Sequence, residues 1–217
     1  MEKAKIGVLG TGDVGRVLGA GFAALGHQVK IGSREPDSEK VQKWVAEHGA
    51  HASAGTFAET ADFGSVLVLA TLWSGTQSAI ELAGPGRFAG KVVIDATNPL
   101  AFKPNAPPGL ALGHTDSGGE QVQRWLPEAH VVKAFNTVGN AHMVNPSFPG
   151  GPPDMFICGN DDAAKKTVSE LLTAFGWPSI DIGGIEGARL LEPMCLLWVM
   201  HGIRSGSWNH AFKLLRK

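Results

Sequence analysis

Short apolar runs rich in β-branched residues alternate along the chain with stretches whose apolar positions recur every three to four residues. A strand buried on both faces reads as a continuous apolar run, and the helix that crosses back over it shows a single apolar stripe, so the alternation predicts stacked βαβ units and a parallel sheet. The runs place strands at residues 5–9, 28–31, 65–70, 91–95, 131–134, 155–158 and 179–182, with a further short strand near 51–53. Helical spacing places helices at 12–25, 37–48, 76–82, 120–125 and 161–175. The last begins at Asn160, Asp161 and Asp162, which can cap its amino end and complement its dipole. Two connections rich in Pro and Gly, residues 97–119 and 145–154, are expected as surface loops, and loops of that length are more often functional than idle. Residues 186–217 read as a mostly helical tail, whose apolar Leu190, Met194, Leu197, Trp198 and Met200 need cover from this chain's sheet or from a second subunit.

Composition narrows the class. A chain of 217 residues is long enough for one full doubly wound domain, here 1–217 with 184–217 as a helical C-terminal appendage. Its 43% hydrophobic and 18% charged residues fit a soluble globular protein, and a net charge of −1 argues against nucleic-acid or membrane-surface partners recognised by overall charge. Cys158 and Cys195 stand far apart in no metal-ligand spacing, so no disulfide scaffold and no metal site is expected, and a reducing cytoplasm is the expected setting. The amino terminus runs straight into a strand pattern, and the longest apolar run, 194–200, falls well short of the roughly 20 residues of a spanning helix.

The most specific motif is GTGDVG, formed by Gly10, Thr11, Gly12, Asp13, Val14 and Gly15. The G-x-G-x-x-G spacing alone is weak, but here it follows the strand IGVL and opens a helix that ends at Gly26, which is the context a Rossmann-type dinucleotide fold requires. Gly10 serves the tight turn, Gly12 the approach of a pyrophosphate and Gly15 the packing of helix on strand, while free N–H groups at the helix start bind phosphate. At the tip of the second strand, where NAD enzymes hold a carboxylate against the ribose, this chain reads Gly32-Ser33-Arg34. A hydroxyl and a guanidinium suit a 2′-phosphate, which points to NADP(H); the alternative is a solvated turn in which Arg34 pairs with Glu35.

Candidates for acid–base chemistry are few. The chain has no tyrosine, and it contains no zinc-ligand set, paired-carboxylate motif or Gly-x-Ser-x-Gly elbow. His114 on the long loop, His142 and Asp95 are isolated, each with a surface or structural reading at least as good as a catalytic one. No catalytic side chain is therefore assigned. Hydride transfer between two stacked rings needs orientation more than a proton donor. Ligands of open α/β sheets sit beyond the strand carboxyl ends, and here those ends read ATLWSG (Ala70, Thr71, Leu72, Trp73 and on), ATNPL (with Asn98 and Pro99) and AFNTVG (with Ala134, Asn136 and Thr137). They offer apolar surface and uncharged hydrogen-bonding groups, with Trp73 divided evenly between core and cleft wall.

Together IGVLGTGDVG, GSRE, VVKAFNTVG, FICGNDDAAKKTV and GGIEGARLLEP resemble the NADPH-dependent coenzyme F420 reductases (F420H2:NADP oxidoreductases) over nearly the whole chain, and also the cytoplasmic reductase domain of the transmembrane STEAP metalloreductases. The resemblance implies NADP(H) along GTGDVG and on Ser33 and Arg34. It also implies a deazaflavin or flavin acceptor near Leu72, Trp73, Asn98, Pro99, Asn136, Thr137 and the tail around 190–198, and paired subunits. Where this chain has Asn136 the deazaflavin reductases carry His and the metalloreductase domains Asn.

Overall fold

Continuous apolar segments become the central strands. The structure, a computed structural model, describes residues 2–215 and 217. Strand β1 (Lys5–Leu9) buries Ile6, Val8 and Leu9 completely and is followed by helix α1 (Asp13–Ala24). Then come β2 (Gln28–Gly32), α2 (Glu39–His48), β3 (Ala52–Gly55), α3 (Phe57–Phe63), β4 (Val66–Leu69), α4 (Trp73–Ala83) and β5 (Val92–Asp95). A small antiparallel hairpin, β6 (Leu100–Ala101) and β7 (Gly109–Leu110), precedes α5 (Gly118–Trp125), β8 (His130–Lys133), β9 (Met155–Gly159), α6 (Asp162–Ala174), β10 (Ser179–Asp181) and α7 (Ala188–Ser205).

The eight strands of the main sheet lie in the order β10-β9-β8-β5-β4-β1-β2-β3. From β3 to β8 every pairing is parallel, so the fold is a Rossmann-like α/β sheet with a C-terminal helix. Helices cover both faces. On one, Leu18 and Phe22 of α1, Trp44 of α2 and Leu172 of α6 pack on Val8, Ile31 and Ile157. On the other, Ala61 of α3, Ile80 of α4, Val122 of α5 and Leu191 of α7 pack on Leu9, Leu67 and Val93. Helix α7 thus starts against the second face, and its later residues Cys195, Trp198 and Val199 form a separate apolar cluster with Leu100 of the hairpin.

Several expectations are corrected. Strand β9 runs antiparallel to β8, with Lys133 opposite Cys158, and β10 follows β9. The connection between β8 and β9 contains only a 3₁₀ turn (Asn140–His142) and no crossover helix, so the chain returns in the opposite direction. Helix α3 was not anticipated; a reciprocal capping box of Thr56 and Glu59 starts it. The loop expected over 97–119 contains the hairpin, and the helix expected to begin at residue 76 begins at Trp73. The tail is helical only to Ser205, where left-handed Gly206 ends α7; residues 207–215 then fold back irregularly, and Arg216 lies outside the described residues. Among the described residues no helix is long and apolar enough to cross a membrane.

Candidate functional site at the strand carboxyl ends

The glycines of the first loop differ in what surrounds them. Gly10 takes φ 124°, a left-handed backbone, and a Cβ there would lie 2.5 Å from Ala70 O. A Cβ on Gly15 would lie 2.1 Å from Gly10 O, so this glycine lets helix and loop close on each other. A Cβ on Gly12 would meet no protein atom within 4 Å and would project into open space. Gly12 is also the N-cap of α1, with no side-chain acceptor on the first turn of amides. This is an open cradle lined by N–H groups, and it fits a pyrophosphate.

The cradle opens into a cavity of about 890 Å³, within the range of cofactor sites. Its wall includes Gly10, Thr11, Gly12, Asp13 and Val14, then Ser33 and Arg34 at the tip of β2, Ala70, Thr71 and Leu72 at the tip of β4, and Ala96 after β5. Arg34 is exposed and forms no ion pair among the described residues, so the expected alternative pairing with Glu35 is not present. The Ser33 hydroxyl accepts from Glu35 N at 3.1 Å and shapes the turn that presents the guanidinium. Sequence reading missed Asn140, Phe57, and Ser74 and Ser78 on the exposed face of α4, all of which line the cavity. The Trp73-to-Ala83 periodicity could have found the serines once the helix was started three residues earlier.

The remaining expected residues lie beside this cavity rather than in its wall. Trp73 is partly buried and stacks on Trp125, ring centres 5.5 Å apart. Phe135, buried and with φ 62°, turns the chain off the end of β8 immediately before Asn136. A non-glycine residue in this region is held there by its surroundings. Asn136 Nδ2 donates to Asn98 Oδ1 at 3.2 Å and to Leu191 O of α7 at 2.9 Å, while Asn98 Nδ2 donates to Asn136 O at 2.9 Å. Asn136 Oδ1 is buried and has no hydrogen-bond partner. Ala134, Thr137 and Pro99 are buried around this pair.

None of the isolated acid–base candidates aims into the cavity. His114 is exposed on its loop, and the His142 ring nitrogen bonds Asn209 Oδ1 at 3.1 Å. Asp95 is fully buried: Oδ1 accepts from Thr97 N and Oγ1, and Oδ2 from Lys133 Nζ at 2.8 Å. Lys133 also contacts Glu192 Oε1 at 3.1 Å. Burial alone would drive the proton from Lys133, but the Asp95 and Glu192 carboxylates outweigh it and hold the ammonium above the usual lysine range. Burial pushes both the Cys158 and Cys195 thiols up to about 12, so neither is a thiolate at neutral pH.

Residues 5–99 match the family model described as NADP oxidoreductase, coenzyme F420-dependent. The F420-dependent NADP reductase of Methanocaldococcus jannaschii is 31% identical over 205 residues, which cover 90% of this chain and 91% of that protein. The chain belongs to this family. A solved structure from Arthrobacter sp. FB24, provisionally described as an F420-dependent NADP reductase, superposes on this chain with a TM-score of 0.92 at 40% identity over 98% of this chain and all of that one. Metalloreductase STEAP3 of Rattus norvegicus is 32% identical over 196 residues, but the match spans 90% of this chain and only 37% of the metalloreductase. As a member of the F420-dependent family the protein is an NADP-dependent oxidoreductase, and the glycine cradle described above lies within the residues that the family model covers.

Proposed function

We propose that the enzyme transfers hydride between NADPH and a deazaflavin of the F420 type, or a flavin, laid ring on ring beyond the strand tips. The observation that carries this reading is the chemistry of the cavity wall: among the described residues Asp13 and Arg34 are its only ionisable members, and both stand at the phosphate-binding end. The amides of the first turn of α1 hold the pyrophosphate, and Ser33 and Arg34 hold the 2′-phosphate. Bound NADPH supplies the hydride, and the proton that completes reduction of the acceptor comes from solvent. Ala96 lines the far end, and the Asn98–Asn136 pair stands beside it.

An acceptor panel run with NADPH tests it. Turnover with F420 or a flavin is expected, and replacing His114 or His142 by Ala should leave it within about tenfold, where loss of a general acid costs roughly 10²–10⁴. Turnover only with carbonyl compounds or imines, or none with any acceptor, would overturn the reading.

We further propose that the enzyme is a cytoplasmic homodimer. The outer edge of α7 leaves Leu190 and Leu197 66% and 60% exposed at a spacing of two turns, an apolar stripe that a second copy would cover. Light scattering at micromolar concentration should give twice the chain mass; a monomer would refute the pairing.

A further inference from the structure

Three elements meet at one buried ammonium. Lys133 Nζ at the end of β8 bonds Asp95 Oδ2 at the end of β5, and Thr97 O just beyond it at 2.8 Å. It also pairs with Glu192 of α7, whose two oxygens accept from Gly118 N and Gly119 N at the start of α5. The side chains of all three charged residues are at most 1% exposed. Every oxygen of the two carboxylates faces a donor: Asp95 takes Thr97 N and Oγ1 and Lys133 Nζ, and Glu192 takes Gly118 N, Gly119 N and Lys133 Nζ. Buried ions of this kind are a poor source of stability, because apolar residues of the same volume serve as well. What they do specify is geometry.

Each element held by Lys133 carries one member of the network above it. Asn98 follows β5, Asn136 follows β8, and Leu191 of α7 precedes Glu192. In a sheet of this order a dinucleotide crosses at the switch between β1 and β4. With the 2′-phosphate at β2, the other half falls toward β4, β5 and β8, where the unpartnered Asn136 Oδ1 stands.

We propose that Lys133 is a positioning residue that fixes Asn98, Asn136 and α7 relative to one another at the nicotinamide end of the cleft, and that it has no part in holding the adenosine end. The inference rests on NADPH lying along the cleft as proposed above.

The test compares two ligands by calorimetry: NADPH, which spans the cleft, and 2′,5′-ADP, which has only the adenosine and its 2′-phosphate. In Lys133→Met the fragment should bind within about twofold of its original affinity, while NADPH weakens at least tenfold and loses its advantage over the fragment. Glu192→Gln keeps the shape of the cluster and should move NADPH the same way by about threefold; it carries the test if Lys133→Met does not fold. Unchanged NADPH affinity in a folded variant, or equal loss of both ligands, overturns the proposal. So does failure of both variants to fold, which would make the cluster a stability element. An unaltered protein that binds neither ligand overturns the nucleotide reading, and this proposal with it.

Discussion

A methyl group on Gly12 would meet nothing within 4 Å, whereas one on Gly15 would lie 2.1 Å from Gly10 O. The same substitution should therefore separate binding from folding. Gly12→Ala is expected to melt like the unaltered protein yet bind NADPH at least tenfold more weakly, since the methyl occupies the phosphate cradle. Gly15→Ala should lose about 1–3 kcal/mol of stability by overpacking, well beyond the roughly 0.5–1 kcal/mol that Ala gains over Gly inside a helix. Urea melts and nucleotide titrations of both variants check this; equal behaviour of the two would refute it. Arg34 gives the second prediction at this scale. NADPH should bind at least tenfold more tightly than NADH, because charge-assisted bonds to the 2′-phosphate contribute roughly 1.5–3 kcal/mol, and Arg34→Ala should abolish most of that preference while leaving NADH affinity nearly unchanged. Glycine spacing and the missing acid at Ser33 and Arg34 were plain in the sequence because they are local. Lys133 was not read, although VVKAF carried a signal: a lysine within an otherwise apolar buried strand requires carboxylate partners. Those partners, Asp95 and Glu192, lie 38 residues before it and 59 after it, a separation that only the fold closes.

The elements divide in the same way. Strands β1, β2, β4, β5 and β8 fell where apolar runs placed them, since a strand buried on both faces has little other choice of sequence. The direction of β9 is a property of its connection, and the absence of a helical pattern between β8 and β9 was the available clue. Helix α3 has seven residues, too few for periodicity to register, but Thr56 and Glu59 formed a legible capping box. The segment after α7 shows how a helix end is fastened. Trp198 Nε1 donates to His210 O at 2.8 Å, the Trp198 ring lies against Gly139, and Trp208 lies across Gly202. A Cβ on Gly202 would come within 2.4 Å of the Trp208 ring. Because that ring is 46% exposed it has room to swing out, so Gly202→Ala should loosen residues 207–215 without unfolding α7. Trypsin should then cut after Lys213 several-fold faster while NADPH affinity stays within about twofold. An unchanged cleavage rate would mean that the strap is held elsewhere.

At the scale of the whole molecule, stability should depend on pH through a residue far from the cleft. His27 is fully buried; its Nδ1 accepts from Ala4 N at 3.0 Å, and its Nε2 has no partner. Burial first, and the nearby Lys3 charge second, lower its pKa below the ordinary 6.5. The unfolded chain therefore takes up a proton that the folded chain refuses, and folding stability should fall as pH drops below about 6.5 toward the depressed folded value. Asp116 and Glu120, whose pKa values are lowered chiefly by Arg124 and Arg189, act in the same sense only at lower pH, below the ordinary carboxylate range. Urea melts between pH 5 and 8 should show the slope, and His27→Gln should flatten it; a slope that survives the substitution would assign it to another group. The cluster at Lys133 has a consequence of a different kind, in the order of biosynthesis. A ribosome delivers the phosphate loop, β5 and β8 well before it delivers Glu192. Until then one carboxylate faces the ammonium, the first amides of α5 lack their acceptor, and water must stand in for both. On the binding mode proposed above, a nascent chain would hold the nucleotide by its phosphates first and enclose the reactive ring only when α7 arrives.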